Sequence, residues 1–402
     1  MVKPELLSPA GNFEQLVMSL NYGADAVYFG GLNFGLRAAA GNFGPDEMVG
    51  ALALCREYGV GAYITCNAVL SNDDMCALPG FLEEIADAGA DAVIVSDIGA
   101  LLLVRKYAPS LDIHISTQAG VFNHETARAF FDMGASRIIL ARELPLSEIA
   151  RIRAHTPPEL ELEAFVHGSM CVAISGRCLL SHYLAGRDAN RGECTQPCRW
   201  KYSLVEEQRP GEYLDVIEDD GTYIMNSRDL CMIDHIKEMA DAGILALKIE
   251  GRMKSAYYAA VATNAYRHAI DAAANGLPLK DVWREEVNNV SHREYSTGFY
   301  FDRNGPGQYC GDSMYRTRCD VVAIVESCDS DGNAVLTQRN KFSLGDQLEL
   351  LTSIDEPIMF TVTRITDESE QDIGSAPHPM MELHIKLPMY AQRYSILRKY
   401  RN

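Results

Sequence analysis

In the first two-thirds of the chain, the pattern of apolar and polar positions predicts a repeated unit of a helix, a glycine and a strand. Near the start, one apolar stripe with helical spacing is formed by Phe13, Leu16, Val17 and Leu20. Gly23 can end that helix in the left-handed conformation, and the apolar run after it predicts a short buried strand. The same order returns with Gly89, Gly134 and Gly243. Because a stripe on one helical face must pack on a sheet, the pattern predicts alternating helices and strands.

Eight such strands are expected before the pattern changes. They fall within residues 5–8, 23–29, 61–67, 89–95, 112–118, 134–140, 162–168 and 246–251. Strands that are apolar throughout and alternate with amphipathic helices are typical of a parallel sheet covered on both faces. Eight units favour a closed, TIM-like (β/α)8 barrel over an open doubly wound sheet, which stays the alternative.

The connection between the seventh and eighth strands is much longer than a usual loop. This insertion, at about residues 169–231, carries five cysteines, and long connections of this kind usually serve function. From about residue 311, short alternating runs broken by Asp-Gly and Gly-Asp turns predict a small C-terminal β-barrel. We therefore expect a barrel domain at 1–310 and a second domain at 311–402.

Composition indicates the class of protein, its compartment and the partners that its charge allows. Apolar residues make up 47% of the chain and charged residues 23%, as in ordinary globular proteins. The N-terminus lacks the basic start and apolar run of a signal peptide, and no stretch is long enough to span a membrane. We expect a cytoplasmic protein without membrane association. The net charge of −19 argues against a surface that binds nucleic acid everywhere, but it allows a local basic patch.

Eleven cysteines in a reducing compartment are more typical of metal binding or catalysis than of disulfides. Cys171, Cys178 and Cys194 belong to every set of four ligands that we consider. Cys231 is the favoured fourth ligand, and Cys198 is the alternative. Thiolates suit an iron–sulfur cluster or zinc, and the spacing alone favours neither.

Basic residues accompany these cysteines, and polar residues stand where the barrel strands end. The candidate anion contacts in the insertion are Arg177, Arg187, Arg191 and Arg199, which could instead offset the charge of a thiolate cluster. In a parallel barrel the carboxyl ends of the strands face the active site. The candidates there for orienting substrate are Gln118, His167, Lys248, Glu250 and Arg252.

Other catalytic signatures are missing from the sequence. It has no His-Glu-x-x-His, no Gly-x-Ser-x-Gly, no Walker loop and no Gly-x-Gly-x-x-Gly after a strand. A cysteine protease that pairs a clustered thiol with His167 is conceivable, but it would leave the other cysteines unexplained.

The start of the insertion resembles the signature of the peptidase U32 family, historically called collagenase-like. The matching positions are Glu163, Phe165, Gly168, Ser169, Met170, Cys171, Gly176, Cys178, Leu180 and Ser181. Further matching stretches lie at residues 5–11, 116–118, 248–254 and 295–300. Within the family, residues 186–202 look like the branch that modifies tRNA.

Members of that branch are similar to prephenate-dependent hydroxylases that form 5-hydroxyuridine at the wobble position of tRNA. The resemblance implies tRNA as partner, prephenate as co-substrate, a cysteine-held [4Fe–4S] cluster, and iron–sulfur assembly proteins that supply it. Related branches hydroxylate ribosomal RNA or ubiquinone precursors. The alternatives are a U32 peptidase, a ribosomal-RNA hydroxylase, and an RNA-binding protein in which zinc only staples the loop.

Overall fold

The computed structural model describes residues 2–37, 41–200, 202, 204–205, 213–214, 226–303, 305 and 315–401. The helices are α1 (Phe13–Asn21), α2 (Pro45–Tyr58), α3 (Asn72–Asp87), α4 (Ile98–Tyr107), α5 (His124–Asp132), α6 (Leu146–Ala154), α7 (Leu180–Ala185), α8 (Ile236–Asp241), α9 (Ala256–Ala274) and α10 (Asp281–Glu286). Among the described residues, no helix combines the length and apolar character needed to cross a membrane.

The strands fall into two groups along the chain. Those of the first group are β1 (Glu5–Pro9), β2 (Ala26–Phe29), β3 (Gly61–Cys66), β4 (Ala92–Val95), β5 (Asp112–Ile115), β6 (Arg137–Ile139), β7 (Glu161–Ser169), β8 (Leu204–Val205), β9 (Tyr213–Leu214), β10 (Asp229–Cys231), β11 (Ala246–Ile249) and β12 (Tyr295–Ser296). Those of the second are β13 (Cys319–Cys328), β14 (Asn333–Gln338), β15 (Phe342–Ser343), β16 (Gln347–Leu351), β17 (Ile358–Thr361), β18 (Ile365–Asp367), β19 (Ser375–Ala376), β20 (Glu382–Lys386) and β21 (Ile396–Tyr400).

Eight parallel strands close into a barrel. Strands β1 to β7 pair in chain order, and β11 pairs with both β1 and β7. In this closing strand, Leu247 lies opposite Leu6 on one side and Ala164 on the other. An open sheet would leave two of these strands as edges, so the closure confirms the predicted TIM-like barrel.

Helix α1 shows how the sequence sets the local elements. Asn12 caps the helix, and its side-chain oxygen accepts a hydrogen bond from the Gln15 backbone N–H at 2.9 Å. The apolar stripe is buried, with Leu16 and Leu20 at most 5% exposed. Gly23 follows with a φ of 95°, which glycine adopts without strain. The glycines predicted to end later helices also have positive φ: Gly89, Gly134 and Gly243.

The insertion is anchored to the barrel by a long β7. This strand of nine residues continues into a stretch with which β10 pairs antiparallel, Leu230 lying opposite Gly168. Strand β12 pairs with the other edge of β10. Asp229 of β10 and Arg293 form an ion pair at 2.6 Å, and each side chain is at most 2% exposed. Because both charges are buried, each depends on the other and on protein hydrogen bonds.

The C-terminal residues form an antiparallel sheet with the strand order β17-β16-β21-β13-β14-β20-β18, which confirms the predicted β domain. Its own core includes Leu336 and Leu348. Arg398 of β21 is buried between Glu286 of α10 and Glu349 of β16, with nitrogen–oxygen distances of 2.7 Å to each. This charged contact fastens the sheet to the barrel. The boundary at residue 310 stays a prediction, because residues 306–314 lie outside the described residues.

Candidate active site at the barrel mouth

A polar cavity opens at the carboxyl ends of the barrel strands, where barrels of this kind carry their catalytic residues. Four of the five predicted candidates line it: Gln118, Lys248, Glu250 and Arg252. Two further arginines, Arg37 and Arg142, join them. The fold therefore brings most of the polar strand ends together, as expected from parallel strands.

Two of the cations in this cavity are matched by carboxylates. Lys248 Nζ donates to Glu163 Oε1 at 2.9 Å beneath the cavity, and Arg37 Nη2 lies 3.2 Å from Glu250 Oε1. Burial lowers the pKa of Lys248 and outweighs the attraction of Glu163. Burial also acts to raise the pKa of Glu250, but Arg37 and Arg142 outweigh it and hold that pKa below its usual value. Glu250 therefore stays ionised.

The other two cations have no carboxylate within ion-pair distance among the described residues. Arg142 donates to the Ser169 carbonyl at 3.0 Å. Arg252 donates to Thr65 Oγ1 at 3.1 Å and to Asn42 Oδ1 at 2.5 Å. In both arginines the Nε–H group is buried and has no hydrogen-bond partner in the described part of the chain. Burial lowers the pKa of Arg252 to about 10, so the side chain is still charged at neutral pH.

His167 does not face this cavity. Phe165 lines the cavity, but two residues later a break in register pairs His167 with Ile249. This bulge adds one residue to β7 and so reverses the side on which later side chains lie. The His167 ring is buried with Tyr266 and Tyr295, whose hydroxyls lie 3.4 and 3.5 Å from its two nitrogens. Burial lowers its pKa to about 3, and the structure separates it from the other four candidates.

Three cysteines of the insertion act electrostatically on a fourth, Cys198. Burial raises the pKa of the Cys198 thiol and neighbouring Arg199 opposes the shift, while three thiols raise it further: Cys171, Cys178 and Cys194. Charges act on one another in this way only at short range. The pKa of Arg37 is raised chiefly by Glu250, and Cys171 contributes to the same shift. Cys171 therefore lies within electrostatic range of Arg37 in the cavity wall.

Cys231, the fourth ligand favoured by the sequence, lies elsewhere. It stands on β10 opposite His167, and its sulfur is 3.8 Å from the Tyr266 hydroxyl that donates to it. Burial raises its pKa to about 11, and within the described residues no clustered thiol contributes to that shift. Among the described residues, Cys198 therefore interacts electrostatically with the three cysteines common to every ligand set, whereas no such interaction is found for Cys231. The identity of the fourth ligand stays a prediction.

These thiols offer a metal the right donors rather than a finished coordination geometry. No three His, Cys, Asp or Glu side chains of the described residues are arranged as a ready metal site. None of the four gathered cysteines forms a disulfide. Soft sulfur donors of this number fit an iron–sulfur cluster or zinc, so the chemistry of the donor set suits the group implied by the sequence.

The predicted anion contacts of the insertion differ in their surroundings. Arg177 and Arg187 are exposed to solvent. Arg191 forms an ion pair with Asp74 of α3 at 2.7 Å. Arg199 donates hydrogen bonds to two neighbouring side chains. Arg177 and Arg187 are therefore the most accessible of the four to a large ligand.

Comparison with known proteins places this architecture in a family. Residues 11–308 match the model of peptidase family U32, and residues 317–398 match the model of the peptidase family U32 C-terminal domain. The chain belongs to peptidase family U32. It is 36% identical to tRNA hydroxylation protein P1 of Bacillus subtilis (strain 168), over 99% of this chain and 95% of that protein.

Two other similar U32 relatives carry different names. Identity is 36% to tRNA hydroxylation protein P of Escherichia coli (strain K12), over 94% of this chain and 92% of that protein. Identity is 32% to the protein named collagenase of Porphyromonas gingivalis (strain ATCC BAA-308 / W83), over 78% of this chain and 76% of that protein. The solved structure of the U32 peptidase Mk0906 aligns with 62% of this chain and 94% of its own, at 18% identity and a TM-score of 0.42.

A cysteine peptidase needs a thiol beside a base, and the described residues place Cys231 across from His167 on β10 and β7. Burial raises the pKa of the thiol to about 11 and lowers that of the imidazole to about 3. An activated cysteine needs a lowered thiol pKa and a base that accepts its proton. This pair provides neither.

Sequence reasoning missed Arg37 at the mouth, and it found Arg142 at a strand end without choosing it as a candidate for orienting substrate. Arg142 follows β6, a position to which the rule on strand ends already points. Arg37 comes from the long loop after β2, where no local pattern marks it. Next to Arg142, Glu143 accepts hydrogen bonds from the Ser175 backbone N–H at 2.7 Å and from its hydroxyl at 3.1 Å. This contact fastens the cysteine loop at the mouth.

Proposed function

We propose that the protein is a tRNA hydroxylase that forms 5-hydroxyuridine at the wobble position (U34), with prephenate as co-substrate and a cysteine-held iron–sulfur cluster. Its relatives in Bacillus subtilis and Escherichia coli have tRNA hydroxylation in their names. The observation that carries the proposal is the electrostatic interaction of four cysteines of the insertion, one of which also acts on Arg37 of the cation-lined barrel mouth. We expect it to act in the cytoplasm.

In this proposal the cluster ligands are Cys171, Cys178, Cys194 and Cys198, and Cys231 is not a ligand. When bound, a [4Fe–4S] cluster supplies one-electron redox chemistry at this place. Iron–sulfur assembly proteins would load it. Zinc, the alternative metal, would only hold the loop in shape.

We expect tRNA to approach over the insertion, because the net charge of −19 repels it from most of the surface. Arg177 and Arg187 offer exposed contacts to phosphate. Tyr183 and Trp200 are 74% and 41% exposed, and their rings offer surfaces on which an unstacked base can lie. The target uridine must leave its stack for its C5 atom to reach the mouth.

Inside the mouth, the chain's own side chains would bind and orient the reactants. The Gln118 amide and the Lys248 ammonium are donors suited to carbonyl and carboxylate oxygens. Glu250, kept ionised by its arginine neighbours, positions Arg37. Lys248 is itself held in place by Glu163. These residues are proposed as substrate-orienting groups.

Anaerobic purification tests the metal assignment. We expect the wild-type protein to be brown, with absorbance near ~400 nm and bound iron. Cys198→Ala should lose most of the iron, whereas Cys231→Ala should keep it. Cys76→Ala, which removes an exposed thiol of α3, is the matched control. A colourless wild-type protein with stoichiometric zinc would contradict the cluster, and iron loss in Cys231→Ala alone would restore Cys231 as a ligand.

Nucleoside mass spectrometry of tRNA tests the reaction. In a strain that lacks both this gene and any oxygen-dependent route to 5-hydroxyuridine, the modified nucleoside should disappear. The wild-type gene should restore it, and Cys198→Ala should not. Unchanged 5-hydroxyuridine in the deletion strain would refute the proposed function.

Ribosomal RNA is the second candidate substrate. The 23S rRNA 5-hydroxycytidine C2501 synthase of Escherichia coli (strain K12) is 36% identical over 67% of this chain and 39% of that protein. Digestion of ribosomal RNA from the same strains separates the two substrates. Loss of a hydroxylated pyrimidine from ribosomal RNA, with tRNA unchanged, would move the activity there. Hydrolysis of a collagen-like peptide by the metal-free protein would favour the peptidase instead.

A further inference from the structure

A second cavity lies between the insertion and the rim of the barrel, and we call it the side pocket. Its volume is about 450 Å³. The loops after β3 and β4 and the insertion supply its lining: Ala68, Val69, Ser96, Asp97, Arg177, Cys178, Leu179 and Asn190. Of the described residues, none lines both this pocket and the mouth cavity.

The side pocket and the mouth cavity are neighbours that share a wall. Asn67 lines the mouth, and the next residue, Ala68, lines the side pocket. The Ser96 hydroxyl of the pocket donates to the Asn67 carbonyl at 3.2 Å, across the same wall. A ligand that occupies both cavities therefore has to place two adjoining groups on either side of Asn67.

The insertion is fastened to the barrel rim at this pocket. The Val69 backbone N–H donates to the Asn190 carbonyl at 3.0 Å, and Arg191 donates to the Val69 carbonyl at 2.9 Å. The Asn190 side chain accepts from the Cys178 N–H at 3.1 Å and donates to the Cys178 carbonyl at 3.0 Å. Because these contacts fix the walls before a ligand arrives, little affinity is lost to ordering them on binding.

The lining combines apolar walls with a few polar groups. Val69 and Leu179 are apolar, yet they are 50% and 53% exposed. Asp97 caps α4 with one carboxylate oxygen, which accepts from the Ala100 N–H at 3.1 Å, and its other oxygen can accept from a ligand. Such a lining suits a flat, largely apolar molecule whose edge carries N–H groups.

We propose that the side pocket binds the nucleobase next to the target uridine in the RNA. The choice of RNA as the ligand rests on the proposed function, whereas the exposed apolar walls do not. The Asp97 carboxylate repels phosphate and accepts from N–H groups, so the base enters the pocket and the backbone stays outside. Arg177, which is exposed in the same lining, can pair with the phosphate that joins the two nucleotides.

The geometry of the reaction gives such a pocket a purpose. A target base that leaves its stack for the mouth deprives its neighbour of a stacking partner. A pocket beside the mouth restores apolar contact for that neighbour and sets the register of the strand. The exposed ring of Tyr183 is the competing place for the neighbouring base.

Affinities for anticodon stem–loop RNA with uridine at the wobble position test the proposal. The full-length protein is purified anaerobically, and fluorescence anisotropy measures binding of the intact RNA and of RNA with single abasic sites. An abasic site at one of the two neighbours of the target should weaken binding at least about fivefold. An abasic site elsewhere in the loop is the control. No loss at either neighbour, or an equal loss at the control position, would overturn the proposal.

Substitutions in the walls locate the base. Val69→Ala and Leu179→Ala should each weaken binding of the intact RNA at least about threefold. They should also reduce the abasic effect below about twofold, because the base no longer has its contact to lose. Leu277→Ala, which truncates an exposed leucine after α9, is the matched control and should leave both affinities unchanged.

Two further measurements separate a binding defect from other causes. Leu179 adjoins Cys178, so bound iron and the melting temperature are measured for each variant. If Leu179→Ala loses iron, Val69→Ala decides the result. An abasic effect that persists in Val69→Ala but disappears in Tyr183→Ala would place the base on Tyr183 and overturn the proposal.

The failure of this proposal is distinguishable from the failure of the hydroxylase proposal. Loss of 5-hydroxyuridine in the deletion strain, with no abasic effect at either neighbour, would keep the function and refute the pocket. An abasic effect that Val69→Ala removes, with unchanged 5-hydroxyuridine in that strain, would keep the pocket as an RNA subsite and refute the function.

Discussion

The two ends of the barrel surround buried arginines with opposite partners. At the amino ends of the strands, Arg137 is 5% exposed. It contacts three carboxylates at 2.7, 2.6 and 3.3 Å, those of Glu5, Glu161 and Glu163. At the mouth, Arg142 and Arg252 lack such a partner among the described residues. The paired charges at the amino ends stabilise the barrel. The excess positive charge at the mouth suits the binding of an anion.

This division follows the general behaviour of (β/α)8 barrels, in which the carboxyl ends of the strands carry the site and the amino ends carry stability. In this barrel the rule has an electrostatic basis. A network whose charges are already paired is not stabilised further by a ligand. A cavity with two guanidinium groups that lack a carboxylate partner is stabilised by a ligand that brings negative charge.

The largest effect is expected at the amino ends. Arg137→Met leaves buried Glu163 and its neighbours without their shared cation, so the free energy of unfolding should fall by about 3–5 kcal/mol. Chemical denaturation measures it, and Arg128→Met, at an exposed pair, should lose less than about 1 kcal/mol. Equal losses in the two variants would remove the contrast between matched and exposed arginines.

At the mouth, removal of the carboxylate of Glu250, which alone lines the cavity in the described part of the chain, should increase the excess of positive charge. Arg37, Arg142 and Arg252 all act on Glu250, so Glu250→Gln should destabilise the ligand-free protein by about 2 kcal/mol. The same variant should gain more thermal stability from added prephenate than the wild type does. An exposed change of the same type, Glu125→Gln, controls for the substitution. A smaller gain from prephenate would argue against a charge surplus.

Low pH should destabilise the fold through His114, which lies at the amino ends of the barrel strands. Burial, together with Arg137 and Lys248, holds the pKa of His114 well below its usual value. The unfolded chain takes up this proton below its ordinary pKa of about 6.5 while the folded protein does not, so stability present above that pH is lost as the pH falls. The loss attributable to His114 therefore grows as the pH falls below about 6.5. His114→Gln should flatten the pH dependence of unfolding below that pH, and an unchanged slope would contradict it.

The smallest effect is expected at the exposed pair that ties the insertion to the rim. Asp74→Asn breaks the contact with Arg191, and because both side chains are partly in solvent the cost should be about 0.5 kcal/mol or less. The released arginine should raise tRNA affinity in a filter-binding assay at low salt. A large loss of stability would mean that this pair belongs with the matched charges of the amino end.

Much of the fold was predictable from the sequence for a local reason. Apolar stripes such as that of Leu16 and Leu20, and glycines such as Gly23, act over a few residues and need no distant partner. The strand-end rule then predicted four members of the mouth. It could not predict Arg37, because the loop after β2 carries no periodic pattern and its path is set by what it packs against.

The sequence by itself determined the barrel, the antiparallel C-terminal domain and the family, since these rest on periodicity and on a long motif around Cys171. The tertiary structure decided which cysteines interact, that a bulge turns His167 out of the mouth, and that Arg142 and Arg252 have no carboxylate within ion-pair distance among the described residues. The physical reason is distance. Charge, burial and coordination depend on separations of a few ångströms between residues far apart in the chain, and these exist only once the strands have closed.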